Sequence, residues 1–126
     1  MRDIFLLSAC RTPIGKFLGA LRDLPATELG RAAAAAAVER AGVAPGDVDL
    51  LVFGHARQAG CGPNPARQVA VGAGIPVSVP SYTVNQACAS GMRAGALGAM
   101  EIESRRADLV VAGGMESMSR VPFLLE

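Results

Sequence analysis

The sequence predicts an α/β fold in which a mostly parallel sheet carries helices on both faces. Strand-like and helix-like segments alternate along the 126 residues, beginning and ending with a strand, and such alternation is typical of parallel sheets. The segment 47–54 is apolar through its middle, as expected of a strand that is covered on both faces. The length fits one domain, and we find neither a linker nor an internal repeat.

The first half of the chain is predicted to contain two strands and one helix. A first strand is expected at 3–8, followed by a loop at 11–17, where a proline and a glycine interrupt regular structure. A helix is predicted over 27–40, because it contains six consecutive alanines, the strongest helix former, and stops before Gly42. The second strand is predicted over 47–54.

In the second half, Asn64 and Pro65 are predicted to open a helix as its N-cap and first residue, and the sequence 74–76 ends it. A β-branched and aromatic stretch beginning at Ser81 predicts a third strand, which passes into another helix. The last strand is expected at 108–112.

Glycines mark two further features of this half. Gly91, Gly95 and Gly98 recur at spacings of four and three, so they share a face of their helix. Because glycine costs a helix about 1 kcal/mol relative to alanine, another backbone is expected to approach this face closely. The pair at 113–114 is predicted to form a tight turn, since it lacks the spacing of either nucleotide-binding fingerprint.

Composition excludes several classes of protein. The net charge is +1, from 12 basic and 11 acidic residues, and without a basic run nucleic acid is not expected as a partner. No apolar stretch approaches the ~20 residues of a membrane span. Three cysteines without a CxxC motif favour a reducing compartment, so we expect a cytoplasmic protein. A hydrophobic content of 51% indicates that some apolar faces meet other protein.

Cys88 is the candidate nucleophile, because it lies where the third strand passes into a helix. Unpaired N–H groups at a helix N-terminus favour an anion and therefore a thiolate, by about 0.3–1 kcal/mol. That effect is too small to ionise most of a thiol at neutral pH, so a base, usually histidine, must complete the activation. The one histidine, His55, follows the second strand and could share a rim with Cys88. The simpler interpretation, an ordinary rim residue, is favoured.

Four segments, taken together and in this order, resemble the thiolases, which are acyl-CoA acetyltransferases. They are 11–17, 64–68, 85–91 and 113–119, and the similarity extends over essentially the whole chain, as the first part of a thiolase. The resemblance implies that Cys88 accepts the acetyl group of acetyl-CoA and passes it to the enolate of a second acyl-CoA, or works in reverse on a 3-ketoacyl-CoA and free CoA. Coenzyme A thioesters are then substrates, and no metal or other cofactor is expected.

The resemblance also implies groups that residues 1–126 do not contain. Thiolases use an activating histidine, a second cysteine, oxyanion-stabilising groups and an inserted loop domain. Cys10 and Cys61 lack the glycine-rich context of that second cysteine, so both are expected to be structural. We therefore expect an incomplete N-terminal domain, 1–126, that is inactive alone. The complete protein is expected to be a homo-oligomer, a dimer or a tetramer.

Other functions stay open at this point. A decarboxylating 3-ketoacyl synthase places a nucleophilic cysteine at a similar corner, although Asn85, Gln86 and the run 113–117 favour a thiolase. A non-catalytic acyl-CoA-binding or assembly module is a second alternative, and a truncated fragment without a function of its own is a third.

Overall fold

A computed structural model describes residues 2–125 of the chain. Within this range three strands form one sheet and three α-helices pack on it. We number the elements in chain order. The helices are α1 (Ala26–Ala41), α2 (Pro65–Gly72) and α3 (Ser90–Glu103), and the strands are β1 (Leu50–Gly54), β2 (Ser81–Val84) and β3 (Val110–Gly114), with short 3-10 helices at Pro45–Asp47 and Met118–Arg120.

The sheet is parallel throughout, with the strand order β2-β1-β3. Gly54, the last residue of β1, is opposite both Val84 of β2 and Gly114 of β3. All three strands therefore end at the same edge of the sheet. In open parallel sheets this edge is where ligands bind.

Helices cover both faces of the sheet, which confirms the predicted layered α/β architecture. On one face Leu51 and Phe53 of β1 pack with buried residues of α1 and α2, while on the other Leu50 and Val52 pack with Ala94 of α3. β1 is thus buried on both sides, as its apolar sequence predicts. No helix within residues 2–125 has the length and apolar character needed to cross a lipid bilayer.

The prediction of a strand at 3–8 is wrong. This segment has no ladder partner, and it is separated from β3 by a groove of 410 Å³, which both segments line. Ser8 holds it to α1 by donating a hydrogen bond to the carbonyl of Ala37 at 2.6 Å. Apolar sequence alone gave the segment strand propensity, but a strand also needs a neighbour within hydrogen-bonding distance.

α1 forms where the run of alanines predicts it and ends at Gly42, which adopts φ 70°. Its small residues bring it close to the sheet. A methyl group added at Gly30 would lie 2.8 Å from the sulfur of Met115, so the helix and the end of β3 have no room for a side chain between them.

The glycine pair 113–114 is not a turn, which corrects a second prediction. Both residues belong to β3 and pair with Phe53 and Gly54. A methyl group at Gly113 would lie 2.8 Å from the ring of Phe53. Glycine is therefore required here by the neighbouring ring and not by a reversal of the chain. β1 also starts later than predicted, because 45–47 forms a 3-10 turn.

α2 begins at Pro65 as predicted, but the side chain of Asn64 does not cap it. Asn64 adopts φ 43° and donates instead to the carbonyl of Ser81 at 2.9 Å. The N–H of Ala66 is capped by the hydroxyl of Thr83, at 2.9 Å, and that hydroxyl donates to Asn64 Oδ1. The cap of α2 therefore comes from β2 and fastens the helix to the sheet.

Candidate active site at the corner of Cys88

Cys88 is exposed and lies between β2 and α3. β2 ends four residues before it, and α3 begins two residues after it. The predicted strand-to-helix corner is therefore present. The N-cap position of α3 is Ala89, which offers no side-chain cap, so the orphan N–H groups of the first turn are not consumed by a side chain there.

The turn that carries Cys88 contains an uncommon backbone conformation. Ala87 adopts φ 51°, a left-handed value that is unfavourable for a residue with a Cβ. Its N–H donates to Asn85 Oδ1 at 3.0 Å, and its carbonyl accepts from Ser90 Oγ at 2.6 Å. Both polar backbone groups of Ala87 are thus held by side chains that flank it.

Ser90 is only 4% exposed, although it follows a run of exposed residues. Its hydroxyl oxygen also accepts a hydrogen bond from the N–H of Gln86 at 2.9 Å. One buried hydroxyl therefore donates and accepts across the turn. Sequence analysis did not identify Ser90; the signal was its spacing of three residues from Ala87, which suits a serine that bonds to nearby backbone.

The corner packs against the end of β1, the central strand of the sheet. A methyl group at Gly54 would lie 2.5 Å from the backbone nitrogen of Gly91, so β1 and α3 meet backbone to backbone. The prediction of a close approach holds for Gly91 but not for the whole glycine face: Gly98 meets the side chain of Val110, and Gly95 has nothing within 4 Å.

His55 is not the rim residue that we expected. Only 1% of it is exposed. Its backbone N–H extends the pairing of β1 with β2 by donating to the carbonyl of Val84 at 3.0 Å. Its Nε2 lies 3.1 Å from Glu116 Oε1. This is ion-pair distance, although neither ring nitrogen has a hydrogen bond of good geometry. Among the described hydrogen bonds, none joins His55 to Cys88.

Glu116 is a second residue whose role sequence analysis missed. Its two carboxylate oxygens accept the N–H groups of Ala56 and Arg57 at 3.0 and 3.1 Å. Asn85 donates to the carbonyl of Ala56 at 2.9 Å. The loop after β1 is therefore held from the β3 side by Glu116 and from the Cys88 corner by Asn85. The available signal was an acidic residue two positions after a strand that ends at this edge.

The other two cysteines are partly buried, whereas Cys88 is exposed. Cys10 lines a groove together with the segment after β3, and Cys61 lies in the loop before α2, with its thiol 3.8 Å from the carbonyl of Ala59. A structural role for both stays a prediction. Within residues 2–125 no three His, Cys, Asp or Glu side chains are grouped to hold a metal.

Residues 4–126 match the family model for the thiolase N-terminal domain. Acetyl-CoA acetyltransferase 2 of Arabidopsis thaliana is 54% identical over 124 residues, which are 98% of this chain and 31% of that protein. The acetyl-CoA acetyltransferase of Schizosaccharomyces pombe is 50% identical over 121 residues, 96% of this chain and 31% of that protein. A crystal structure of the Acat5 thiolase from Ascaris suum in complex with coenzyme A matches with a TM-score of 0.98 and 37% identity, covering 99% of this chain and 33% of that one.

The chain therefore spans about a third of the length of the curated relatives it matches. Family and fold were both predicted from the sequence, and both are confirmed by these similarities. The four segments that carry the resemblance lie within the matched residues. The chain belongs to the thiolase family, of which it is an N-terminal portion.

Proposed function

We propose that the protein carrying this chain catalyses thiolase-type acyl transfer through an acyl-enzyme on Cys88. It condenses two molecules of acetyl-CoA to acetoacetyl-CoA, or cleaves a 3-ketoacyl-CoA with free CoA. The supporting observation is an exposed thiol two residues before the start of α3, in a chain about half identical to proteins named acetyl-CoA acetyltransferase.

The proposed chemistry consists of two displacements. The thiolate of Cys88 bonds to the carbonyl carbon of acetyl-CoA, the bond from that carbon to the CoA sulfur breaks, and CoA leaves and takes up a proton. A base then removes a proton from the methyl group of a second acetyl-CoA. The resulting enolate carbon bonds to the acetyl carbon and releases the Cys88 thiolate. The first step exchanges one thioester for another, so its reactants and products are close in free energy. Covalent capture of the acetyl group divides one difficult condensation into two easier displacements.

In this proposal residues 1–126 supply the nucleophile and not the base. The one histidine of the sequence is buried beside Glu116, and no described hydrogen bond brings it to Cys88. We therefore propose that the 126-residue chain does not turn over alone, because a thiol without base and oxyanion hole lacks most of the stabilisation such reactions need.

The remaining parts of the proposal concern partners and location. Coenzyme A and its thioesters bind as substrates, without a metal or a resident cofactor. The complete protein forms a homo-oligomer, a dimer or a tetramer. A cytoplasmic location is favoured by three cysteines that are all free in the structure, because reduced thiols persist in a reducing compartment.

The test uses the full-length protein that carries these residues. After incubation with radiolabelled acetyl-CoA and rapid acid quenching, peptide mapping should find the acetyl group on Cys88. Cys88→Ser should abolish both the adduct and acetoacetyl-CoA cleavage, whereas Cys61→Ser should preserve both. A labelled acetyl adduct that persists in the Cys88→Ser variant would remove Cys88 from this role. If malonyl thioester, and not acetyl-CoA, supplied the attacking carbon, the protein would be a decarboxylating synthase.

A further inference from the structure

The turn at Ala87 is unfavourable by itself, yet it decides where the Cys88 thiol lies. In a left-handed conformation the Cβ of a residue lies too close to the following carbonyl oxygen. Such conformations persist where the surroundings hold them, and they concentrate at functional sites. Here the N–H of Ala87 is held by Asn85 and its carbonyl by Ser90. Cys88 follows directly, so its direction depends on this peptide unit.

Of the two flanking side chains, Ser90 is the better placed to fix the turn. It is buried while Asn85 is exposed, so water competes less for its hydrogen bonds. Its hydroxyl spans the turn, because it accepts from Gln86 on one side of Ala87 and donates to the carbonyl of Ala87 itself. The backbone N–H of Ser90 donates to the same carbonyl at 3.1 Å.

Packing against β1 holds the backbone of Ser90 in place. Gly54 of β1 lies against the backbone of Ser90 and Gly91, with no room for a methyl group between them. The position of the first turn of α3 is therefore fixed by the sheet. The hydrogen bond of the Ser90 hydroxyl then fixes Ala87 relative to that turn.

We propose that Ser90 is a positioning residue for Cys88: its buried hydroxyl locks Ala87 in the left-handed conformation and so points the thiol towards the acyl donor. This rests on the proposed acyl-transfer function. Ser90 takes no proton from the substrate and makes no bond to it. Its effect is geometric, and small displacements of a reacting group are costly to rate.

The first experiment measures the turn without any catalysis. Amide hydrogen exchange is followed in the full-length protein that carries these residues and in its Ser90→Ala variant. We expect the protection of the Gln86 and Ala87 amides to fall at least tenfold, while amides of β1 keep theirs. The matched control is Ser104→Ala, which removes a serine hydroxyl that donates to the carbonyl of Glu101 at the other end of the same helix. Unchanged protection at Gln86 and Ala87 would overturn the proposal that Ser90 holds Ala87 in the left-handed conformation.

The second experiment measures the consequence in the full-length protein. Ser90→Ala should lower kcat for acetyl transfer at least tenfold with KM within twofold, whereas Ser104→Ala should change neither. Ala87→Gly supplies the distinguishing readout, because glycine adopts this conformation freely. In the Ala87→Gly background, Ser90→Ala should cost less than threefold in kcat. An equal loss in both backgrounds would indicate general damage to the fold and would overturn the proposal.

The two experiments separate the proposals from each other. Lost amide protection with unchanged acetyl transfer would overturn the positioning role. Absence of any acetyl adduct in the unsubstituted full-length protein would overturn the proposed function and with it the positioning role, while the exchange data would still decide whether Ser90 locks the turn.

Discussion

Glu116 Oε1 lies 3.1 Å from Nε2 of His55, and the two side chains differ sharply in exposure, at 32% and 1%. The carboxylate also receives two backbone N–H groups from the loop after β1. It therefore joins the end of β3 to the end of β1 at the edge where Cys88 is located. The histidine is buried here as part of this connection.

Removing the carboxylate should destabilise the chain. Glu116→Ala leaves the N–H groups of Ala56 and Arg57 without their partner, and because Glu116 is partly exposed, water replaces some of the loss. We expect the free energy of unfolding to fall by about 1–3 kcal/mol, as measured by urea unfolding followed by circular dichroism. Glu28→Ala is the control, since its pair with Arg31 on α1 is at the surface and contributes less than about 1 kcal/mol. Equal losses in the two variants would contradict this role for Glu116.

A glycine at the β1–α3 junction and a glycine within α3 should respond in opposite directions to the same substitution. Gly54→Ala places a methyl group against the backbone of α3, which cannot move without shifting the helix, and should cost about 3 kcal/mol or more. Gly95→Ala meets open space within its helix and should stabilise the chain by about 0.5–1 kcal/mol. Thermal denaturation of both variants checks the pair. A tolerated Gly54→Ala would mean that the junction is looser than described.

Asn64 allows the cost of backbone strain to be separated from that of lost hydrogen bonds. Asn64→Gly and Asn64→Ala both remove the contacts to Ser81 and Thr83. Only glycine accepts φ 43° without strain. The alanine variant should therefore be less stable than the glycine variant by about 0.5–1 kcal/mol, after allowing for the greater freedom of glycine in the unfolded chain. The midpoints of urea unfolding of the two variants test this. An alanine variant as stable as the glycine variant, or more stable, would show that the backbone at this position is not strained.

Asp49 should make stability depend on pH in the acid range. The N–H groups of Asp108 and Leu109 donate to its carboxylate and hold the pKa of Asp49 below its ordinary value of 3.8. A lowered folded-state pKa stabilises the fold above the unfolded value, and this stabilisation is lost as the pH falls through the folded value.

Asp49→Asn should accordingly lower the free energy of unfolding at neutral pH. Its difference from the unsubstituted chain should shrink as the pH falls below about 3.8. Asp23→Asn is the control, because the carboxylate of Asp23 makes a surface contact with Arg22 at 3.6 Å. Unfolding measured from pH 7 to pH 2 tests this, and a difference that stays constant with pH would show that Asp49 does not titrate as described.

What could be predicted from the sequence was mostly local in origin. The alanine run defines α1, the apolar middle of β1 marks a strand covered on both faces, and the change of pattern at Cys88 locates the corner. The turn at Ala87 was not predicted, although Asn85 and Ser90 flank it at spacings where their side chains can bond to nearby backbone.

What could not be predicted depends on residues far apart in the chain. The segment 3–8 has strand propensity, but it lies across a groove from β3 and does not pair with it. The glycines 113–114 resemble a turn until the ring of Phe53 is placed beside them. His55 and Glu116 are 61 positions apart, and no periodicity in the sequence joins them. Tertiary contacts override local preference at each of these places.

The central position of β1 constrains how the sheet can assemble during synthesis on the ribosome. β1 is translated before both of its partners, and its contacts with β3 join Leu50 to Val110. Such long-range parallel pairing is slow to form, because a large loop must close before it is stabilised. Until β3 leaves the exit tunnel, the nascent chain can hold only a two-stranded ribbon with one side of β1 unpaired.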